Sequence, residues 1–310
     1  MSGSVAFVFP GQGAQYPGML REIYDEFGCA RDVFSAASDA LHRDIPEICF
    51  NGSQSDLDDT LNTQVCVLAA DLAVAAVLRE EGISPCAGAG FSLGEYAALA
   101  DAGALDLRDC FRIVQLRAEA MRRAVPAGCG MAAVIGTPSD RVRELCSRVT
   151  RGYVAPANYN APLQTTVAGD GEGLAELLAL AETEHIRCQR LAVSVPSHCE
   201  LMRPAAEELK TALAQVRIGL PEYELPMNAD PFRTPAAEDI RELACLQLVS
   251  PVRWVEIQQR LEASGADVWI ECGPGHVLCG LARRTVPGIK AMHVENTATL
   301  RQALDSLRQC

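Results

Sequence analysis

The stretch "CAGAGFSLGEYAALADAG", residues 86–103, constrains the fold more than any other part of the chain. Its first half is a run of small apolar residues that reads as a buried strand, and its second half reads as a helix. The two meet across Gly90-Phe91-Ser92-Leu93-Gly94, with no room for a loop. A strand turning straight into a helix implies a layered α/β arrangement, in which the helix packs back on the sheet. Gly90 and Gly94 remove the Cβ atoms that would block so sharp a reversal. Such a turn lifts the Ser92 hydroxyl out of the sheet and sets it at a helix N-terminus. There the Leu93 N–H is free, and the helix dipole favours a developing oxyanion. The same five residues also fit an ordinary tight turn with a capping serine, so the motif alone leaves the two readings level.

The rest of the chain supports an α/β class. "VAFVFPGQGAQ" is a short buried strand, Val5 to Phe9, feeding a glycine-rich loop, as at the active edge of an α/β sheet. Residues 31–43 and 63–80 read as helices, the second apolar nearly all round and hence a core helix. "LRDCFRIVQLRAEAMRRAV" is a longer helix closed by Pro126. From about residue 128 the texture changes: strand, helix, strand, strand, helix, and a short strand at 188–194. That β-α-β-β-α-β order is ferredoxin-like. The predicted organisation is a core from 1–127 and 195–310 with a subdomain at 128–194 inserted in it. "HCELMRPAAEELKTALAQV" returns as a helix, and "DVWIECGPG" as a late strand and Gly-Pro-Gly loop.

At 310 residues the chain is long enough for one large core and a smaller subdomain. Its net charge of -13 argues against a general nucleic-acid binder. The 13 cysteines show no C-x-x-C spacing and sit in apolar stretches, as small buried hydrophobes in a reducing cytoplasm do. The longest apolar run, Val65 to Leu78, contains Asp71 and falls short of the ~20 residues a membrane span needs. With no signal peptide in view, the expectation is a cytoplasmic protein without membrane or nucleic-acid partners.

A serine nucleophile needs a base. Phe91 cannot serve, and as the preceding residue it should point to the opposite face. Of the five histidines, His42 and His185 lie in polar helical contexts and His293 in a strand-like run. His276 follows Gly-Pro-Gly. His198, in "SVPSHCELMRPA", falls where an extended segment meets a helix start; there the dipole would keep the ring neutral, as a base requires. Position favours His198 slightly, with His276 a weaker rival and helix capping the bland alternative.

The ordered set "FPGQGAQ", "GFSLGEYAAL", "QLRAEAM", "NYNAPLQTTVAG", "VPSHCELMRPA", "QLVSPVRW" and "ECGPGHVLCGL" resembles the malonyl-CoA:acyl carrier protein transacylase family, including the stand-alone acyltransferases of polyketide synthases. The resemblance runs from residue 5 to about 285. It implies an α/β-hydrolase-like core with an inserted ferredoxin-like subdomain. It further implies Ser92 as the acyl-accepting nucleophile and His198 as its base, with the amides of Gln12 and Leu93 as oxyanion hole. By the same resemblance Arg117 holds the malonyl carboxylate, and a main-chain carbonyl near Gln247 orients the imidazole in place of a triad acid. The implied substrates are malonyl-CoA and an acyl carrier protein, with no metal or redox cofactor and a monomeric enzyme. Carrier proteins are acidic, so Arg283 and Arg284 are docking candidates. Phe91 departs from the family, which usually has His there. Leu93 is like the malonyl-using members, while Ser197 is shared by malonyl and methylmalonyl users. Asn160 and Gln164 match a motif near the site. Two other roles are alternatives: an acyl hydrolase on carrier-bound thioesters, which in such relatives lacks the carboxylate-binding Arg, and a non-catalytic docking subunit, which would not need Ser92 and His198.

Overall fold

The computed structural model describes residues 4–125, 128–191, 193, 195–233 and 236–309. Its strands are β1 (Val5–Phe9), β2 (Ala87–Gly90), β3 (Gly130–Ile135), β4 (Val154–Ala161), β5 (Gln164–Gly169), β6 (Arg187–Arg190), β7 (Val268–Cys272) and β8 (Lys290–Val294). They form two separate sheets. The first has the order β2-β1-β7-β8, and every neighbouring pair is parallel. Parallel neighbours need long crossovers, here carried by helices. A sheet covered on both faces selects uninterrupted apolar strands, and β1, β2 and β7 are buried along their whole length. Because these strands run the same way, the loops after Phe9, Gly90 and Cys272 leave the sheet at one edge. The three glycine-rich segments, far apart in sequence, are thereby gathered.

The helix Thr60–Glu80 crosses this core. It is 21 residues long, apolar and long enough for a membrane span by length and composition, which the shorter apolar run had not suggested. Yet 83% of its apolar window is buried inside the fold, so it is the core helix expected. Asp71 within it is fully buried, and neither carboxylate oxygen has a hydrogen-bond partner. Burial, with Glu271 nearby adding to it, pushes this carboxyl well above the usual carboxylate range.

The second sheet has the order β4-β5-β3-β6 and is antiparallel. Helices Ser139–Ser147 and Gly171–Thr183 complete the β-α-β-β-α-β order read from the sequence. They bury Val142, Leu145, Leu174 and Leu177 against Val134 and Val167 of the sheet. The last strand ends at Arg190; Ala192 and Ser194 of the expected 188–194 strand, like Pro126, lie outside the described residues.

The expected helix from His198 differs. A single 3-10 turn, Glu200–Met202, precedes an α-helix that begins at Arg203 and ends at Leu213. Pro204 sets that start, since proline is at home in the first helical turn and nowhere deeper. His198 is therefore in the loop before the helix, in the left-handed region at φ 64. The described cysteines are free.

Candidate active site

Ser92 occupies the strand-to-helix turn between β2 and the helix Gly94–Asp101 with φ 54, a strained value for a residue with a side chain. Two glycines make the turn possible. A Cβ on Gly90 would stand 1.9 Å from the Gly94 carbonyl, and one on Gly94 would stand 2.1 Å from the Phe9 oxygen. Asn228 staples the turn from outside it. Its Oδ1 accepts from the Ser92 amide at 2.8 Å, and its Nδ2 donates to the Gly90 carbonyl at 2.7 Å.

Ser92 Oγ lies 2.7 Å from His198 Nε2, and His198 Nδ1 lies 2.7 Å from the Gln247 main-chain oxygen. A carbonyl can only accept, so Nδ1 carries the proton and Nε2 is left as the acceptor facing the serine. Burial holds the imidazole pKa down to about 4. The Arg117 cation pushes the same way, and the bond to Gln247 opposes both. The ring is neutral near pH 7, as the sequence implied, but because of desolvation and not a helix dipole. His276 does not meet Ser92; it stacks beside His293, ring centroids 5.3 Å apart. His42 and His185 are exposed.

Arg117 lies on the helix Leu107–Ala124 and is only 1% exposed. Its Nη1 donates to Gln64 Oε1 at 2.6 Å, and its Nη2 reaches Gln247 Oε1 at 3.1 Å and Ser92 Oγ at 3.5 Å. The guanidinium lies 5.5 Å from the Tyr96 ring centroid. These partners are all uncharged, Nε has none, and no ion pair involves Arg117 among the described residues. Burial lowers its pKa, with Tyr96 and Glu95 opposing. A buried cation that makes no direct ion pair is costly, so the site is suited to receive an anion. Glu95 acts on Arg117 electrostatically but makes no ion pair with it. It accepts from the Asn228 amide and from Gln247 Nε2. Burial lifts its carboxyl to about 7, against the lowering effect of those bonds and of Arg117.

A cavity of about 330 Å³ opens over these groups, lined from the parallel-sheet side by Gln12, Ser92 and Leu93 and from the antiparallel sheet by Met131, Asn160 and Gln164. The amides of Gln12 and Leu93 donate to no backbone or side-chain acceptor among the described residues. Phe91 also lines this cavity, and its ring packs edge-on at 5.3 Å against Trp254, which does not line it. Asn160 donates to Thr166 Oγ1 at 3.1 Å, and Gln164 accepts from Arg284 at 2.6 Å. Arg283 is exposed and donates to the Ala291 carbonyl at 2.7 Å.

The arrangement can carry out nucleophilic acyl transfer: a hydroxyl beside a neutral imidazole, two free amides, and an anion receptor within reach. Sequence reasoning missed Gln64, Glu95 and Asn228. Glu95, three residues after Ser92 in the first turn of a largely apolar helix, was the one with a visible signal.

The acyl transferase domain family matches residues 6–303. A malonyl CoA-acyl carrier protein transacylase of Haemophilus influenzae is 40% identical over 95% of this chain and 96% of its own length. One from Bacillus subtilis is 37% identical over 98% of both. Among solved structures, the Coxiella burnetii malonyl CoA-acyl carrier protein transacylase superposes with TM-score 0.95 at 38% identity, over 99% of this chain and 98% of its own. A malonyl-transacylase in complex with its type II polyketide synthase acyl-carrier protein gives TM-score 0.94 at 38% identity, over 98% and 99%. The chain belongs to the malonyl-CoA:acyl carrier protein transacylase family of acyl transferases.

Proposed function

We propose that this chain moves a malonyl group from malonyl-CoA to the phosphopantetheine thiol of an acyl carrier protein through a malonyl-Ser92 ester. The observation that carries the reading is a buried Arg117 that makes no ion pair among the described residues, 3.5 Å from a serine that is itself 2.7 Å from a neutral histidine. The malonyl carboxylate supplies the missing charge and fixes the thioester over Ser92. Ser92 Oγ attacks the carbonyl carbon as His198 Nε2 takes its proton. The oxygen that gains charge accepts from the Gln12 and Leu93 amides. Collapse breaks the C–S bond, and His198 returns the proton to the CoA sulfur. The carrier thiol then gives its proton to His198 and attacks the ester, and the proton ends on Ser92.

The hydrolase alternative is disfavoured by Arg117, which anchors the ester through its distal carboxylate. The boundaries 1–127, 128–194 and 195–310 fit the separation of the two sheets. Arg283 and Arg284, exposed near the cavity's Val277–Leu281 wall, suit an acidic carrier protein. The enzyme works as a monomer, and its free described thiols suit a reducing cytoplasm.

Incubation with malonyl-CoA should add one malonyl mass to the peptide containing Ser92, and Ser92→Ala should abolish it. A label retained in Ser92→Ala, or mapped to a cysteine, would overturn the mechanism.

A further inference from the structure

Acyl transfer leaves unused three side chains that the tertiary fold brings together at the end of the parallel sheet. His276 is the first residue after the Gly-Pro-Gly loop that follows β7, His293 lies in β8, and Glu295 follows β8. Each offers one ligand atom, and these atoms lie within 4.8 Å of one another. We propose that His276, His293 and Glu295 form a binding site for a divalent transition-metal ion of the Zn²⁺, Co²⁺ or Ni²⁺ class, at the rim of the acyl cavity.

The carboxylate is already oriented for this. Its Oε2 accepts from the Gly275 amide at 2.9 Å and from the Tyr16 hydroxyl at 3.2 Å. Its other oxygen, Oε1, faces His293 Nε2 at 3.6 Å. That gap is too long for a good hydrogen bond. It is close to the roughly 3–4 Å that separates two ligand atoms on one tetrahedral ion with bonds near 2 Å. Outer hydrogen bonds that aim a carboxylate, as Gly275 and Tyr16 do here, are a regular part of metal sites. The two imidazoles stand 5.3 Å apart at 42°, so small side-chain rotations converge them. Two imidazoles and one carboxylate favour zinc-like ions over Mg²⁺ or Ca²⁺, which prefer all-oxygen shells. His276 is exposed, which gives the ion an entry path. Val277 and Leu278, next in the chain, line the acyl cavity, so a bound ion would tie that wall to β8.

The simpler reading of the same contacts is a His293–Glu295 ion pair, in which His276 is dispensable. Titration of the metal-free full chain with Co²⁺ separates the two. The expected result is one ion per chain with weak visible d–d bands, no thiolate charge-transfer band, and a raised Tm. His276→Asn and His293→Asn should each weaken binding at least as much as the ~10–100-fold that loss of an outer partner costs, whereas His42→Asn should leave it unchanged. Malonyl loading of Ser92, measured in parallel, reports that the variants are folded. Absence of saturable binding, binding unchanged by His276→Asn, or a thiolate band each overturns the proposal.

Discussion

His198 shows how burial, more than partner chemistry, sets a residue's role. An ordinary histidine titrates near 6.5, but this ring is held to about 4 by desolvation. The acid limb of kcat/KM for malonyl loading should therefore fall well below pH 6, and a pH–rate profile reads it directly. His198→Ala should slow loading and transfer by ~10²–10⁴-fold. The same shift affects stability. The unfolded chain takes up the imidazole proton near 6.5 and the fold only near 4, so this contribution is present above pH 6.5 and lost as pH falls toward 4. On the proposed function, Arg117 is the residue that sets selectivity. Its loss should remove a charge-assisted contact worth about 1.5–3 kcal/mol, or roughly 10–150-fold in discrimination. Competition between malonyl-CoA and acetyl-CoA, read by mass on Ser92, should show Arg117→Ala losing malonyl preference by that factor. An unchanged ratio would make Arg117 a bystander.

Among the elements, the strand-to-helix turn depends on a residue far from it in sequence. Asn228 is the fully buried bridge between the Gly90 carbonyl and the Ser92 amide. Asn228→Ala leaves two backbone groups without partners, at about 1–3 kcal/mol each. Urea unfolding should show a stability loss of that order, and the initial rate of Ser92 acylation should fall with it as φ 54 at Ser92 relaxes. Equal stability in the two proteins would mean that the turn holds itself. The helix after this turn was legible in the sequence because its glycines and apolar run act locally. The helix expected to begin at His198 was not, because a proline at its first turn and a left-handed His198 reset its start.

For the whole molecule, the cavity over Ser92 draws its walls from both sheets. The net charge of -13 repels an acidic carrier, and local arginines must offset it. Arg283→Glu with Arg284→Glu should raise the KM for carrier protein and leave malonyl loading from CoA near its original rate. Arg284 also holds Gln164 in the cavity wall, so the two half-reactions must be measured separately. Equal damage to both would remove the docking claim.

The sequence by itself determined the α/β class, the serine turn, the six-element order of the small subdomain and, through seven ordered motifs, the family. These are encoded in local spacing: glycines where a Cβ has no room, and apolar runs of strand or helix period. Only the tertiary structure shows the 2.7 Å contact between His198 and Ser92 and that Phe91 lines the cavity. It also shows that one of many arginines is buried beside the serine with no ion pair among the described residues. The physical reason is that burial and charge pairing arise between elements distant in the chain. Gln64, Arg117, Asn228 and Gln247 lie on different elements, and no local pattern records that folding desolvates them together around one hydroxyl.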